Sequence, residues 1–133
     1  MVVLEGYSLK TIVDADFDTA MPQVVAALKE QGFGVLTEID VKSTLKTKLD
    51  VDFHRYQILG ACNPPLAHKA LTAEAAIGLL LPCNVIVYED TDAGNTVVMA
   101  IDPMTMVQMS NNPALQEVAE QARQKLETAL AAL

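Results

Sequence analysis

The sequence predicts an α+β domain with two layers, in which helices pack on one face of a mainly antiparallel sheet of about five strands. Short segments in which polar and apolar residues alternate recur along the chain, and three or four segments with helical spacing separate them. Their order does not follow the regular strand–helix–strand repeat that a parallel sheet requires. The sequence Ala93-Gly94-Asn95 suits the tight turn of a hairpin, which joins antiparallel strands.

The first strand and the first helix are predicted near the N-terminus. Residues 6–13 alternate between polar and apolar side chains and include β-branched residues, which favours a strand. Asp16 is a suitable N-cap for the following helix, and Gly32 is a suitable stop. Because Pro22 is late for a first-turn proline, the helix is expected to start nearer Thr19.

Two further strands and a short helix are predicted before residue 63. Alternation over residues 33–41 places two sets of side chains on opposite faces of a strand: Val35, Thr37, Ile39 and Val41 on one, and Leu36, Glu38 and Asp40 on the other. Residues 43–49 can form a short helix with Leu45 and Leu49 facing inward. The next strand is predicted at Tyr56–Cys62.

The C-terminal half alternates between helical segments and a hairpin. A helix is predicted after Asn63-Pro64-Pro65, followed by a helical or irregular apolar segment over residues 74–81. Strands at residues 85–89 and 96–101 form the hairpin. The last helix opens at Asn112-Pro113 and carries one continuous apolar stripe, made of Leu115, Val118, Ala119, Ala122, Leu126, Leu130 and Leu133.

The charge balance argues against two classes of partner. The chain has 133 residues, of which 17 are acidic and 9 basic, giving a formal net charge of −8. Nucleic acids and anionic membrane surfaces are bound through basic patches, so neither is an expected partner. The longest apolar stretch, residues 75–88, is shorter than the roughly 20 residues that a membrane helix needs.

One domain over residues 1–133 is expected, in a reducing environment. Two cysteines are too few for a disulfide scaffold, and the N-terminus lacks the basic segment of a secretory signal. We therefore expect a cytoplasmic location. The common phosphate-binding, zinc-protease and serine-hydrolase motifs are absent, which leaves open whether the protein is an enzyme, because sites built from distant residues leave no local pattern.

The candidate site is centred on two Cys-Asn pairs. Cys62 ends a predicted strand, just before a helix that Asn63 can cap, and a thiol beside a helix N-terminus can be reactive. Pro64 and Pro65 remove two of the amides that would face a thiolate, which favours an inert, partly buried cysteine. Cys83 begins a later strand, and the two sulfur atoms can meet if the two strands are neighbours with matching orientation. His68, one turn into the helix, is a further candidate base or ligand, although a solvent-facing role is more usual for such a residue.

Three segments together resemble a known family. They are Gly32-Phe33-Gly34-Val35-Leu36-Thr37-Glu38-Ile39-Asp40-Val41, Leu59-Gly60-Ala61-Cys62-Asn63-Pro64 and Gly78-Leu79-Leu80-Leu81-Pro82-Cys83-Asn84-Val85. The chain resembles domain-of-unknown-function family 302, a group of small bacterial and archaeal proteins. The resemblance covers nearly the whole chain and implies a compact α/β sandwich that forms a homodimer. It brings no activity and no catalytic residues.

Three hypotheses about function follow. The first is a ligand- or partner-binding module with a pocket around Cys62, Asn63 and Cys83. The alternative is a thiol-dependent redox or sulfur-transfer protein, with Cys62 as the thiolate and Cys83 as its resolving partner. A weaker alternative is soft-metal or haem binding at the same cysteines, for which a dimer partner would have to supply further ligands.

Overall fold

The structure, a computed structural model, describes all residues from 1 to 133. The strands are β1 (Val3–Glu5), β2 (Ser8–Val13), β3 (Gly34–Asp40), β4 (Tyr56–Cys62), β5 (Cys83–Asp90) and β6 (Asn95–Ile101). The α-helices are α1 (Phe17–Glu30), α2 (Val41–Leu49), α3 (Pro64–Ala73), α4 (Met104–Ser110) and α5 (Gln116–Ala131). Two short 3₁₀ segments, Ala75–Leu80 and Pro113–Leu115, follow α3 and precede α5. None of the helices combines the length and the apolar composition that a membrane-spanning segment requires.

All six strands form one antiparallel sheet in the order β1-β2-β6-β5-β4-β3. The predicted α+β class with a mainly antiparallel sheet is confirmed. The strand beyond the expected five is β1, an exposed three-residue edge strand. It pairs with β2 through a turn at Gly6, whose φ of +59° is readily adopted by glycine.

One face of the sheet is buried beneath the helices. The register aligns Leu9, Ala100, Val85 and Leu59 across four adjacent strands, so that their side chains share this face. All four are fully buried and belong to one core with residues of α1, α3, α4 and α5. The apolar stripe of the last helix is central to this core, because Leu115, Val118, Ala119, Ala122, Leu126 and Leu130 are all buried.

The opposite face carries none of these helices, and we call it the open face. Strand alternation and register assign to it, on the four central strands, mostly apolar residues: Ile12, Tyr56, Ile58, Ile86, Tyr88, Val97, Met99 and Ile101. The edge strand β3 adds Thr37 and Ile39.

The predicted faces of β3 are wrong on one side of a β-bulge. The register shifts between Val35 and Thr37, so that Val35 pairs with Ala61 on the buried face, whereas Thr37 pairs with Gly60 on the open face. The bulge makes Leu36 the extra residue of the strand. A bulge leaves no mark in simple alternation, which explains the error.

Two predictions about helices also need correction. Helix α1 begins at Phe17 rather than near Thr19, because the Asp16 carboxylate accepts a hydrogen bond from the Thr19 amide at 2.8 Å and fixes the start there. Helix α2 has no buried residue, and Leu49 is exposed rather than inward-facing. The predicted bounds of β4 and the N-cap role of Asn63 are confirmed.

Candidate functional site

An apolar cavity of about 280 Å³ lies where β4 ends and β5 begins, beneath α3. Thirteen of its sixteen lining residues are hydrophobic, and the lining includes Cys62, Asn63 and Cys83. Helix α3 contributes Leu66, Ala67, Ala70 and Leu71, while α4 and α5 contribute Met106, Val118 and Ala122. The cavity is thus built where the strand ends meet three helices.

Two exposed leucines lie where the cavity opens to the surface. Leu36, which the bulge displaces from the regular strand pattern, lines the cavity and is 68% exposed. Leu71 on α3 also lines it and is 44% exposed. Apolar side chains that are both in a cavity wall and in contact with solvent are typical of ligand entrances.

Asn63 is the main polar side chain of the cavity wall, and both ends of its amide are used within the protein. Its side-chain nitrogen donates to the Gln31 carbonyl at 3.3 Å, and its side-chain oxygen accepts from the Leu66 amide at 3.3 Å. Gly32 lies so close that a Cβ there would be 2.9 Å from the Asn63 amide nitrogen. Asn63 therefore joins the end of α1 to the start of α3, and one hydrogen bond at each end of its amide holds the side chain in place.

The start of α3 offers no free amide to a thiolate. Pro64 and Pro65 have no N–H, and the Leu66 and Ala67 amides already donate to the side chain and the carbonyl of Asn63. The favourable interaction of a helix N-terminus with an anion comes mainly from such amides. The local structure thus gives Cys62 little of the activation that its position suggests.

Cys62 and Cys83 both line the cavity, but they are not paired across the sheet. Strands β4 and β5 are adjacent and antiparallel, and Ala61, not Cys62, stands opposite Cys83. By alternation the Cys62 and Cys83 side chains leave opposite faces of the strand pair, and both residues reach the cavity because it lies at the ends of these strands. Both cysteines are free, and Cys83 is buried whereas Cys62 is partly exposed.

Burial raises the pKa of the Cys83 thiol to about 11, and the neighbouring Cys62 adds to the shift. The neutral thiol is therefore the form of Cys83 over the whole physiological pH range. A resolving cysteine attacks as a thiolate, so this environment is poorly suited to that role.

We expect the raised pKa of Cys83 to make the folded protein less stable at alkaline pH. The unfolded thiol, with its ordinary pKa of 9.0, loses its proton first, so the stabilising contribution is complete below about pH 9 and is lost as the pH rises through about 11. The loss between about pH 8 and pH 10 is about 1 kcal/mol. Urea denaturation at both pH values should show this loss in the wild type and in Cys62→Ala, and a clearly smaller loss in Cys83→Ala, where only other groups such as Tyr56, whose pKa is also raised, contribute. An equal loss in all three proteins would contradict the assignment.

His68 does not join the other candidate residues. It lies on α3, is exposed, and is not part of the cavity wall. No group of three or more His, Cys, Asp or Glu side chains lies close enough together to hold a metal ion.

Sequence reasoning missed most of the cavity wall. It named the two cysteines and Asn63, which line the cavity, but not Phe33, Leu36 or Leu71. Phe33 lies in the first of the three segments that carry the family resemblance, and that segment ends up against the other two at this cavity. The sequence offered one indication of these wall residues: they lie in, or close to, the segments that carry the family resemblance.

Comparison with known proteins agrees with the resemblance. A family model described as domain of unknown function DUF302 matches residues 9–133. The chain belongs to the DUF302 family. It is also similar to the crystal structure of an uncharacterized conserved protein DUF302 from Bacillus stearothermophilus, with 31% sequence identity and a TM-score of 0.87. That match covers 95% of this chain and 97% of the other, so the DUF302 fold extends over almost all of both. A search of curated proteins gave no match.

Proposed function

We propose that this DUF302 protein is a binding module for a small, uncharged, apolar molecule, which it holds in the cavity beside Cys62, Asn63 and Cys83. The observation that supports the proposal most is the cavity wall, which is almost wholly hydrophobic and open to solvent at Leu36 and Leu71. Ligand sites generally combine an apolar wall with very few polar groups. A charged ligand would find no charged partner here, because no Asp, Glu, Lys, Arg or His side chain lines the cavity.

The size of the cavity limits the ligand. Cavities of about 150 Å³ lined by leucine, isoleucine and phenylalanine hold a benzene molecule. A cavity of about 280 Å³ therefore suits a fused two-ring aromatic or a short alkyl chain. The ligand class is thus a neutral hydrocarbon-like group, free or at the end of a larger molecule that projects past Leu36 and Leu71.

We expect the neutral fluorophore N-phenyl-1-naphthylamine to bind with its two-ring naphthyl group in the cavity and its phenyl ring projecting past Leu36 and Leu71, with a rise in fluorescence, and we expect decanol to displace it. Ala67→Phe should abolish this binding, because Ala67 lies in the wall on α3 and a phenyl ring there occupies part of the cavity. Ala73→Phe is the matched control, because Ala73 lies on the same helix, is exposed and is outside the wall. Circular dichroism would check that both variants fold.

The proposal is overturned if the wild type does not bind the fluorophore. It is also overturned if Ala67→Phe binds it as well as Ala73→Phe does, because the bound probe would then lie elsewhere. Displacement by decanol distinguishes a site for neutral apolar groups from adsorption to the protein surface.

Thiol chemistry is the less supported candidate. The cysteines are out of register, the α3 amides are occupied, and the pKa of Cys83 is raised by burial. In the binding module, the cysteines act as small, soft wall residues, which are common in apolar sites.

We also propose that the chain acts as a homodimer. The family resemblance implies this assembly, and a chain with 51% hydrophobic residues has enough of them to cover a core and leave apolar surface for a partner.

A further inference from the structure

The open face is apolar where an antiparallel sheet facing water is normally polar. Such sheets alternate apolar residues towards the core with polar residues towards solvent. Here Ile12 and Ile39 are 55% and 49% exposed, and Ile58, Ile86 and Met99 between them are only partly buried. The helices that contribute buried residues all belong to the core on the other side. The open face therefore carries none of the helices that build the core; within the chain, only Phe53 and His54 pack against its tyrosines.

Charged residues are rare on this face. On the four central strands it carries Lys10, with Asp90 at the hairpin end, and Glu5 lies on the edge strand β1. The chain has 17 acidic residues and a net charge of −8, so most of its surface repels another copy. A basic partner would require an acidic face, and an acidic partner would require several lysines or arginines. A nearly neutral apolar face instead matches another nearly neutral apolar face.

All three tyrosines of the chain lie at a groove on the open face. Tyr7, Tyr56 and Tyr88 line this groove, whose volume is about 580 Å³, and the Tyr56 and Tyr88 rings are stacked with centroids 5.5 Å apart. Burial raises the pKa of Tyr56, and Tyr88 and Tyr7 add to the effect. Aromatic residues are enriched at protein interfaces, where their rings are buried and their hydroxyl groups find partners.

The dimensions of the face suit a dimer. Six strands spaced about 4.8 Å apart, each of about six residues, form a face of roughly 24 by 20 Å. Its projected area is about 480 Å², and the accessible area of a pleated face is larger than the projected one, compared with the roughly 800 Å² per partner of a standard interface. Two sheets stack face to face at a separation of about 10 Å, with side chains interdigitating between them.

We infer that a second copy of this chain covers the open face, with the two sheets packed face to face. This assignment rests on the proposed homodimer and names its surface. A two-fold axis would place the same strands of both copies at the interface. Each substitution on the face would therefore occur on both sides of the interface. The cavity beneath α3 lies on the other side of the sheet, and the dimer leaves its entrance at Leu36 and Leu71 in contact with solvent.

Sedimentation equilibrium of the full chain over a range of concentrations tests the assignment. We expect the wild type to have twice the 14.3 kDa mass of the chain. Ile86→Glu places a carboxylate at the centre of the open face and should raise the dimer Kd by at least about 100-fold. Ile12→Glu should also raise the dimer Kd. Because Ile12 is already 55% exposed, this variant is expected to fold even if Ile86→Glu does not. The matched control is Leu79→Glu, since Leu79 is 88% exposed and lies in the Ala75–Leu80 segment.

Three results are distinguishable. Dimers that dissociate with Ile86→Glu and Ile12→Glu, but not with Leu79→Glu, support the open face. A wild-type dimer that both open-face variants retain overturns the surface but leaves the homodimer. A wild type that is monomeric at all concentrations overturns both, and leaves the proposal of an apolar ligand to be decided by its own binding experiment.

Discussion

Leu126→Ala should lower the free energy of unfolding by about 2–5 kcal/mol. Leu126 is fully buried in the core, on the helix α5 that packs against α1, α3, α4 and β2. Truncation removes its apolar transfer energy and leaves a cavity that a closely packed interior cannot fill. The helices cover only one face of the sheet, so the protein has a single core, and Leu126 is part of it.

Urea denaturation at a fixed protein concentration would measure this effect, because any association adds a concentration-dependent term to the stability. Leu49→Ala is the matched control, since Leu49 is 66% exposed on α2, and its cost should stay below about 0.5 kcal/mol. A similarly small change for Leu126→Ala would mean that α5 is peripheral to the fold.

Gly60→Ala should cost about 1–3 kcal/mol, because the added methyl group has no room. A Cβ at Gly60 would collide with Thr37 Oγ1 on β3 and lie 2.9 Å from Pro82 Cγ. Both neighbours flank the end of the sheet at which the cavity forms. Gly60 therefore allows the close approach of β3 and of the segment before β5.

Gly34→Ala is the control for Gly60→Ala, because a Cβ at Gly34 would meet nothing within 4 Å. Adding Thr37→Ala to Gly60→Ala should recover part of the loss, since it removes the nearer of the two contacts while Pro82 stays in place. Thermal or urea denaturation of the wild type, Gly60→Ala, Thr37→Ala and the double variant would measure the coupling. A Gly60→Ala protein as stable as Gly34→Ala would show that the close contact is relieved without cost.

Local chemistry explains why parts of the fold could be predicted. Asp16 and Asn63 each accept a hydrogen bond from an amide three residues ahead, which is the ordinary behaviour of an N-cap, so a short sequence window suffices. The apolar stripe of α5 and the bounds of β4 likewise follow from periodicity alone. These elements depend on neighbours in the sequence.

The errors arise where tertiary contacts override the local pattern. Strand β1 has three residues and exists because it pairs with β2, and the bulge at Leu36 is defined only by the partner strand β4. The register of Cys62 and Cys83 is likewise a property of the pairing of β4 with β5. One residue of offset keeps Cys62 and Cys83 from standing directly opposite each other, an arrangement that the sequence alone allows.

The candidate site was partly predictable for the same reason. Its polar and cysteine residues belong to distinctive local sequences, whereas leucine and alanine residues in its wall resemble ordinary core residues. Leu66 and Leu71 both lie on α3 and both line the cavity, and only the folded arrangement shows that Leu66 is buried whereas Leu71 is 44% exposed.

The carbon-13 methyl spectrum of the methionines, recorded while naphthalene is added, tests the central claim most directly. The chain has six methionines, of which only Met106 lines the cavity, while Met99 lies on the open face. If the cavity binds a neutral apolar molecule, the Met106 signal should shift and saturate while the Met99 signal stays in place. A spectrum in which Met106 does not move, or in which Met99 moves instead, would contradict the proposed site.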